Sequence, residues 1–230
     1  MARAAGAADQ PAQRPAEPAD APAAPPGAGG VAPVTGRRTG LAGLLAGLAL
    51  ALAAAGCAPG PQSVRPAPTA AIEERPADPP SGTLALRVID RRPSPVLGYR
   101  DEGRGVTLRT EGDLAAAVRE GLAAALAGQG LEVLAWDGEA ERRLTVHIRS
   151  LDYQRSGGLL SRRVRLRSQW WVQGRIDGAP YTAEVAASAE QRALFGPGKA
   201  QNRKLVDRVL ARGIRQLATS PELLRLLRGG

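Results

Sequence analysis

The chain has 230 residues, 43% hydrophobic but only 3% aromatic, with 28 Gly, 19 Pro and a formal charge of +9. Most of the prolines fall in the first eighty residues, and sequence of that kind buries too little apolar surface to fold, which excludes a compact domain over the whole length. A single Cys and a single His exclude an intrachain disulfide framework and a Cys/His metal site, and no cofactor motif is present.

Arg37-Arg38 precede a continuously apolar or small run, Leu41 to Ala55, which exits at Gly56-Cys57. A positive flank, a short apolar run and a small-residue exit form the pattern of a secretory signal. A short membrane helix or a buried core helix is the plainer alternative. A spanning helix needs about 20 apolar residues, however, and Pro-rich sequence follows this run directly. The residues ahead of Leu41 are rich in Ala and Pro and carry no periodic pattern. They point to an initiator at Val31 or Val34, with up to 1–33 lying upstream of the true start. A twin-arginine signal is a minor alternative, because Thr39-Gly40-Leu41 continues it poorly.

Leu52-Ala53-Ala54-Ala55-Gly56-Cys57 resembles the processing site of bacterial lipoprotein signals, with small residues just before the only cysteine in the chain. It departs from them at Ala54, where those signals more often carry Leu. The resemblance implies that 1–56 is a signal peptide cut after Gly56. Cys57 then receives a diacylglyceryl group on sulfur, and its freed amine is acylated, as by palmitate. Ala58, rather than Asp, follows the cysteine, which in the enteric sorting pattern implies an outer-membrane protein facing the periplasm. At about 0.8 kcal/mol per buried methylene, several acyl chains hold a protein where one does not.

Loss of four basic and three acidic residues with 1–56 leaves a charge of +8 on the remainder. The excess favours acidic partners such as anionic lipid head groups, lipopolysaccharide phosphates or nucleic acid. A GC-rich genome also produces an excess of Arg, Ala, Gly and Pro. Residues 57–82 are again Pro-rich and read as a tether, rising about 3.1 Å per residue when extended. The single folded domain is 83–230.

Thr83 to Asp90 predicts a strand with Leu84, Leu86 and Val88 on one face, broken by Arg91-Arg92-Pro93-Ser94-Pro95. A short strand follows around Val106 to Arg109. Asp113 is placed to cap a helix through Gln129, with Leu114, Val118, Leu122, Ala125 and Leu126 at helical spacing and glycines at its end. Leu131 to Trp136 is the next strand, and the strand–helix–strand order predicts that it runs parallel to Thr83 to Asp90.

Leu144, Val146 and Ile148 alternate with Arg143, Thr145, His147 and Arg149, and the same parity recurs in Arg163 to Ile176. Asp177-Gly178 then predicts a two-residue hairpin turn. The register that follows pairs Gly174 with Tyr181, Val172 with Ala183, Trp170 with Val185 and Arg165 with Glu190, so apolar meets apolar and Arg meets carboxylate. After Lys199 a helix carries Leu205, Val206, Val209, Leu210, Ile214 and Leu217 on one stripe. Ser220-Pro221 starts a short last helix. The expected fold is a two-layer α+β domain, a mixed and mostly antiparallel sheet with helices on one face and water on the other.

This order of elements, with Leu86-Arg87-Val88-Ile89-Asp90-Arg91-Arg92 and the long Arg-rich hairpin, resembles the YajG-like family of bacterial lipoproteins. The resemblance implies a periplasm-facing lipoprotein of unassigned biochemical role and carries over no catalytic or binding residues.

On the expected wet face lie Arg143, Arg149, Arg163, Arg165, Arg167, Trp171 and Arg175, with His147 among them. Guanidinium forks hold phosphates or carboxylates, and an exposed Trp stacks on a sugar or base. The face is therefore the candidate site for an anionic envelope component or an acidic subunit of an envelope complex. An ordinary solvated face, partly neutralised by Glu184 and Glu190, gives the same pattern. His147 has no nearby candidate nucleophile, and Asp90, Asp101-Glu102 and Asp152 form no paired-carboxylate motif, so the reading is non-enzymatic, with no metal. Gly103-Arg104-Gly105 and Gly157-Gly158 read as turns rather than phosphate cradles. A nucleic-acid-binding domain, motivated by the pI of about 11.0, is the alternative for a chain that is not exported; export removes that partner.

Overall fold

The computed structural model describes residues 60–72, 77–157, 162–193 and 196–229. The signal, Gly56 and Cys57 lie outside the described residues. The described residues form one compact unit. Its elements are β1 (Gln62–Val64), β2 (Thr83–Asp90), β3 (Val96–Asp101), β4 (Val106–Thr110), α1 (Leu114–Gln129), β5 (Glu132–Leu134), β6 (Arg142–Gly157), β7 (Arg162–Ile176), β8 (Ala179–Ala193), α2 (Lys199–Ala218) and α3 (Pro221–Leu227).

The main sheet has the order β5-β2-β6-β7-β8 and is mixed. β2 runs parallel to both β5 and β6, while β6, β7 and β8 form an antiparallel meander. The expected parallel pair of β2 and β5 is present, and the predicted β7–β8 register is the observed one, Trp170 facing Val185 and Arg165 facing Glu190. Asp177 and Gly178 take φ of 50° and 85° at the turn, the left-handed backbone that a two-residue hairpin needs.

Both main helices cover one face. The Asp113 carboxylate accepts from the Ala116 N–H at 2.9 Å and so satisfies a donor at the start of α1. Gly130 ends that helix in the left-handed region. Leu114, Val118, Leu122 and Leu126 of α1, with Leu205, Val209, Leu210, Ile214 and Leu217 of α2, are buried against Leu84, Leu86, Leu144, Val146, Ile148, Val164, Leu166 and Val172 of the sheet. Each such side chain contributes about 1.5–3 kcal/mol by leaving water. Trp170 lies fully inside and donates its indole N–H to the Ser168 hydroxyl at 2.6 Å.

Three features depart from the sequence pattern. A small second sheet, β1-β4-β3, adds β1 in parallel to β4 and β3 antiparallel to it. β3 has no clean alternation, since Val96 and Tyr99 are both exposed, which hid it from period-two counting. β6 also continues past Leu151 to Gly157. Arg149 is unpaired between Ile148↔Trp170 and Ser150↔Gln169, a bulge that moves the buried set from even to odd positions, Leu151 and Tyr153.

The third departure is the tether. Residues 60–72 do not stand away from the domain: Val64, Pro66 and Pro68 are buried while Arg65, Ala67 and Thr69 are exposed. That period of two belongs to an extended strap laid on a surface. Only three of its residues pair as a strand, because each proline removes an N–H from the ladder. The Ala67 N–H donates to Asp207 at 2.8 Å and the Val64 carbonyl accepts from the Glu111 N–H at 2.8 Å.

α2 meets the sheet where Gly213 lies under Trp170, and a Cβ there would fall 2.7 Å from Cη2 of the ring. Gly213→Ala is therefore expected to destabilise the domain by about 1–3 kcal/mol in denaturant titration, although Ala is the better helix former by about 1 kcal/mol. The loss should shrink in a Trp170→Phe background, which lacks the clashing atoms. An equal loss in both backgrounds would show that the contact is not its cause.

Candidate functional site

The open face of the main sheet is built by the residues whose neighbours on the same strands point at the helices. Across β2, β6, β7 and β8 its central rows read Arg87–Thr145–Gln173–Thr182 and Ile89–His147–Trp171–Glu184. Arg149, the bulge residue, places its guanidinium over Trp171 at 5.3 Å from the ring centroid. Arg87 lies over Trp136 at 4.1 Å. Such stacks contribute about 0.5–1 kcal/mol each where exposed and hold the guanidinium in one orientation.

His147 sits between these stacks, half-buried, with Nε2 3.2 Å from the Gln173 amide nitrogen. Burial holds its pKa below the ordinary imidazole value, and Arg91, Arg87 and Arg149 push it further in the same direction. Three cations around a neutral ring leave a positive region, with Glu184 beyond Trp171 in the same row. Among the described residues, Arg87, Arg91 and Arg149 form no ion pair.

The other expected site residues are on this face but do not converge. Arg163 and Arg175 stand at opposite ends of β7, about 40 Å apart at the rise of a strand. Arg165 is held by Glu190, its Nε donating at 2.6 Å, and this bond keeps the Glu190 carboxyl below its usual range. Arg167 faces Asp152 across the β6–β7 pair. Arg143 is half-buried and donates to the Ala140 carbonyl at 3.0 Å. A small ligand cannot meet all seven residues, so the seven-residue face divides into a central cluster and two outlying groups.

Arg87, Arg91 and Trp136 join the cluster although the sequence pattern did not assign them to it. The parallel pairing of β2 with β6 sets Ile89 beside His147 and so brings Arg87 and Arg91 to either side. Parity alone placed Arg87 opposite Leu86 on β2. Nothing in either strand announced the other as its neighbour.

A family model described as an uncharacterized lipoprotein matches residues 71–228. Among solved structures, a protein of Xanthomonas campestris aligns at 10% identity over 72% of this chain and 95% of its own, with a TM-score of 0.46. A protein of Caulobacter crescentus provisionally described as a lipoprotein aligns at 15% identity over 63% of this chain and 90% of its own, with a TM-score of 0.36. The rare lipoprotein B of Shewanella oneidensis aligns at 12% identity over 64% and 92%, with a TM-score of 0.30. No curated protein matches the chain in sequence.

His147 is the only imidazole in the chain, so its NMR titration is free of overlap. Its midpoint is expected below the ordinary imidazole value, and Arg87→Gln with Arg149→Gln is expected to raise it, since both arginines oppose its protonation. The unfolded chain then binds this proton at a higher pH than the folded one. Stability is therefore lost as pH falls from the unfolded midpoint to the folded one, and His147→Gln should remove that part of the slope. A native midpoint at or above the ordinary value would contradict this placement of the cations.

Proposed function

The chain belongs to the uncharacterized, YajG-type lipoprotein family, and from that premise we propose that it serves as a lipid-anchored outer-membrane protein, facing the periplasm, which binds an acidic partner without catalysing a reaction. The observation that carries the binding role is the cluster of Arg87, Arg91 and Arg149 around neutral His147, flanked by two Arg–Trp stacks. A carboxylate or phosphate placed there meets preoriented guanidinium forks and relieves their mutual repulsion. His147 faces Gln173 and Trp171 rather than a hydroxyl or carboxylate, which supports a binding role over a catalytic one. The partner is an anionic envelope component or an acidic subunit of an envelope complex. Cys57, preceded by Gly56 and followed by Ala58, supports anchorage by acyl chains and transfer to the outer membrane.

Mass spectrometry of the N-terminus from fractionated cells, beside a Cys57→Ala control, tests the anchor. A chain beginning at acylated Cys57 in the outer-membrane fraction, lost in the control, is expected. An unprocessed chain in the cytoplasm would overturn the reading and return the basic face to nucleic acid. For the binding role, titration with lipopolysaccharide and acidic peptidoglycan fragments should show affinity that drops at least about tenfold on charge reversal of Arg87, Arg91 and Arg149. Unchanged affinity removes the role from this face.

A further inference from the structure

The described chain begins at Gly60, and the strap is pinned there by Arg100. Nη1 of Arg100 donates to the Gly60 carbonyl at 2.6 Å and Nη2 to the Pro197 carbonyl at 3.3 Å. The Gln62 amide oxygen, in its hydrogen-bonded orientation, accepts from Nη2 at 2.9 Å, and the Gln62 and Asn202 amides meet at 2.8 Å. Cys57 is three residues before Gly60, a span of at most about 11 Å even when fully extended. A lipid anchor on Cys57 therefore brings one particular end of the domain to the bilayer surface.

That end is formed by the last residues of β3, β6 and β8, the first of β7 and the start of α2. Arg104, Arg163, Arg192 and Lys199 are exposed there, and Arg155 is half-buried. Among the described residues Arg163, Arg192 and Lys199 form no ion pair, and Arg104 reaches Asp101 only at 4.0 Å. Of the nearby acids, Glu190 is held by Arg165, which leaves Asp101 and Glu102. The far end carries no such excess: Asp137, Glu139, Glu141 and Asp177 stand there with Arg142, Arg143 and Arg175, Arg142 is paired with Asp177, and the Asp177 N–H donates to the Glu141 carbonyl at 3.2 Å.

We propose that the domain docks its Arg100 end on the anionic surface of the leaflet that holds its anchor, with Arg104, Arg163, Arg192 and Lys199 against lipid phosphates. The proposal rests on the lipid anchor at Cys57. The tie at Gly60 holds these cations within reach of a surface whose field extends about 8 Å at physiological ionic strength. Each cation near such a surface favours the docked state by about fivefold. The far end, where acids and arginines nearly balance, gains nothing comparable, so charge favours one orientation.

The test uses the full lipidated chain in phosphatidylcholine vesicles, with or without phosphatidylglycerol. A fluorophore is placed at Ser156→Cys, in register with Arg163 and Arg192, or at Asp137→Cys in the far loop, and a lipid spin-labelled on its headgroup is the quencher. Quenching at position 156 is expected to be at least about fivefold greater in the anionic vesicles, to fall with added salt, and to be absent at position 137. Replacement of Arg104, Arg163, Arg192 and Lys199 by Gln should abolish the difference. Because the salt effect is read on the unsubstituted basic end, the result does not depend on that variant's folding. An acylated, vesicle-bound chain quenched equally in both vesicle types overturns docking alone. An unacylated chain that leaves the vesicles overturns docking together with the anchor.

Discussion

The buried face of the central hairpin stays continuous along β6 only because Arg149 has no partner on β7. Strict alternation from Leu144, Val146 and Ile148 would turn Ser150, Asp152 and Gln154 toward the helices and Leu151 and Tyr153 toward water. The surplus residue exchanges the two sets, and Leu151 and Tyr153 enter the core. Tyr153 is then the floor on which β3 lies: a Cβ on Gly98 would come within 2.3 Å of its carbonyl oxygen. The second sheet, and through β4 the strap, rest on that contact. The same bulge leaves Arg149 free to cover Trp171 on the open face, so core and candidate site depend on one irregularity.

The arginines divide by what they touch rather than by where they occur in sequence. Arg92 is nearly buried and bonds Asp90 at 2.7 Å, Arg142 ties the β7–β8 turn to the start of β2 through Asp177 and the Ser81 carbonyl, and Arg165 holds Glu190. These side chains give up their charge to local structure, and Asp177 and Glu190 become stronger acids in return. Arg87, Arg91 and Arg149 instead lie near a neutral imidazole and form no ion pair. Like charges gathered without an ion-pair partner raise the energy of the empty state, which is what a binding site for an acidic group requires.

The strap sets where these surfaces stand relative to the chain's entry. A free Pro-rich spacer would let the domain tumble tens of ångströms from its anchor. Hydrogen bonds from Arg100 to Gly60 and from Ala67 to Asp207, with Val64 buried, remove that freedom from residue 60 onward. The open face then runs away from the entry point along β6, β7 and β8. Its basic end lies beside Gly60, with the Arg–Trp cluster farther along. Entry and candidate site thus belong to one rigid body.

Periodicity is local, and whatever depends on it was legible. The helix capped by Asp113, the stripe of Leu205 to Leu217, the Asp177-Gly178 turn and the register that puts Arg165 beside Glu190 all follow from side chains within one hairpin or one helix. Prolines hid the strap, because Pro66 and Pro68 suit an extended chain yet cannot donate to a ladder. The bulge at Arg149 was hidden because it changes parity without changing composition. The candidate site was half visible: His147, Arg149 and Trp171 shared a face by alternation, whereas Arg87 and Arg91 arrived only with the parallel pairing of β2 and β6, and Trp136 with them through its stack with Arg87. Backbone hydrogen bonds join strands without regard to side-chain identity, so which strands become neighbours is settled by packing of the whole domain. Within each regular helix or strand the sequence by itself determined which face a residue takes, because the period is local; the exchange of faces after Arg149 and the neighbours that share a face were decided only by the tertiary structure, because they depend on how whole strands pack.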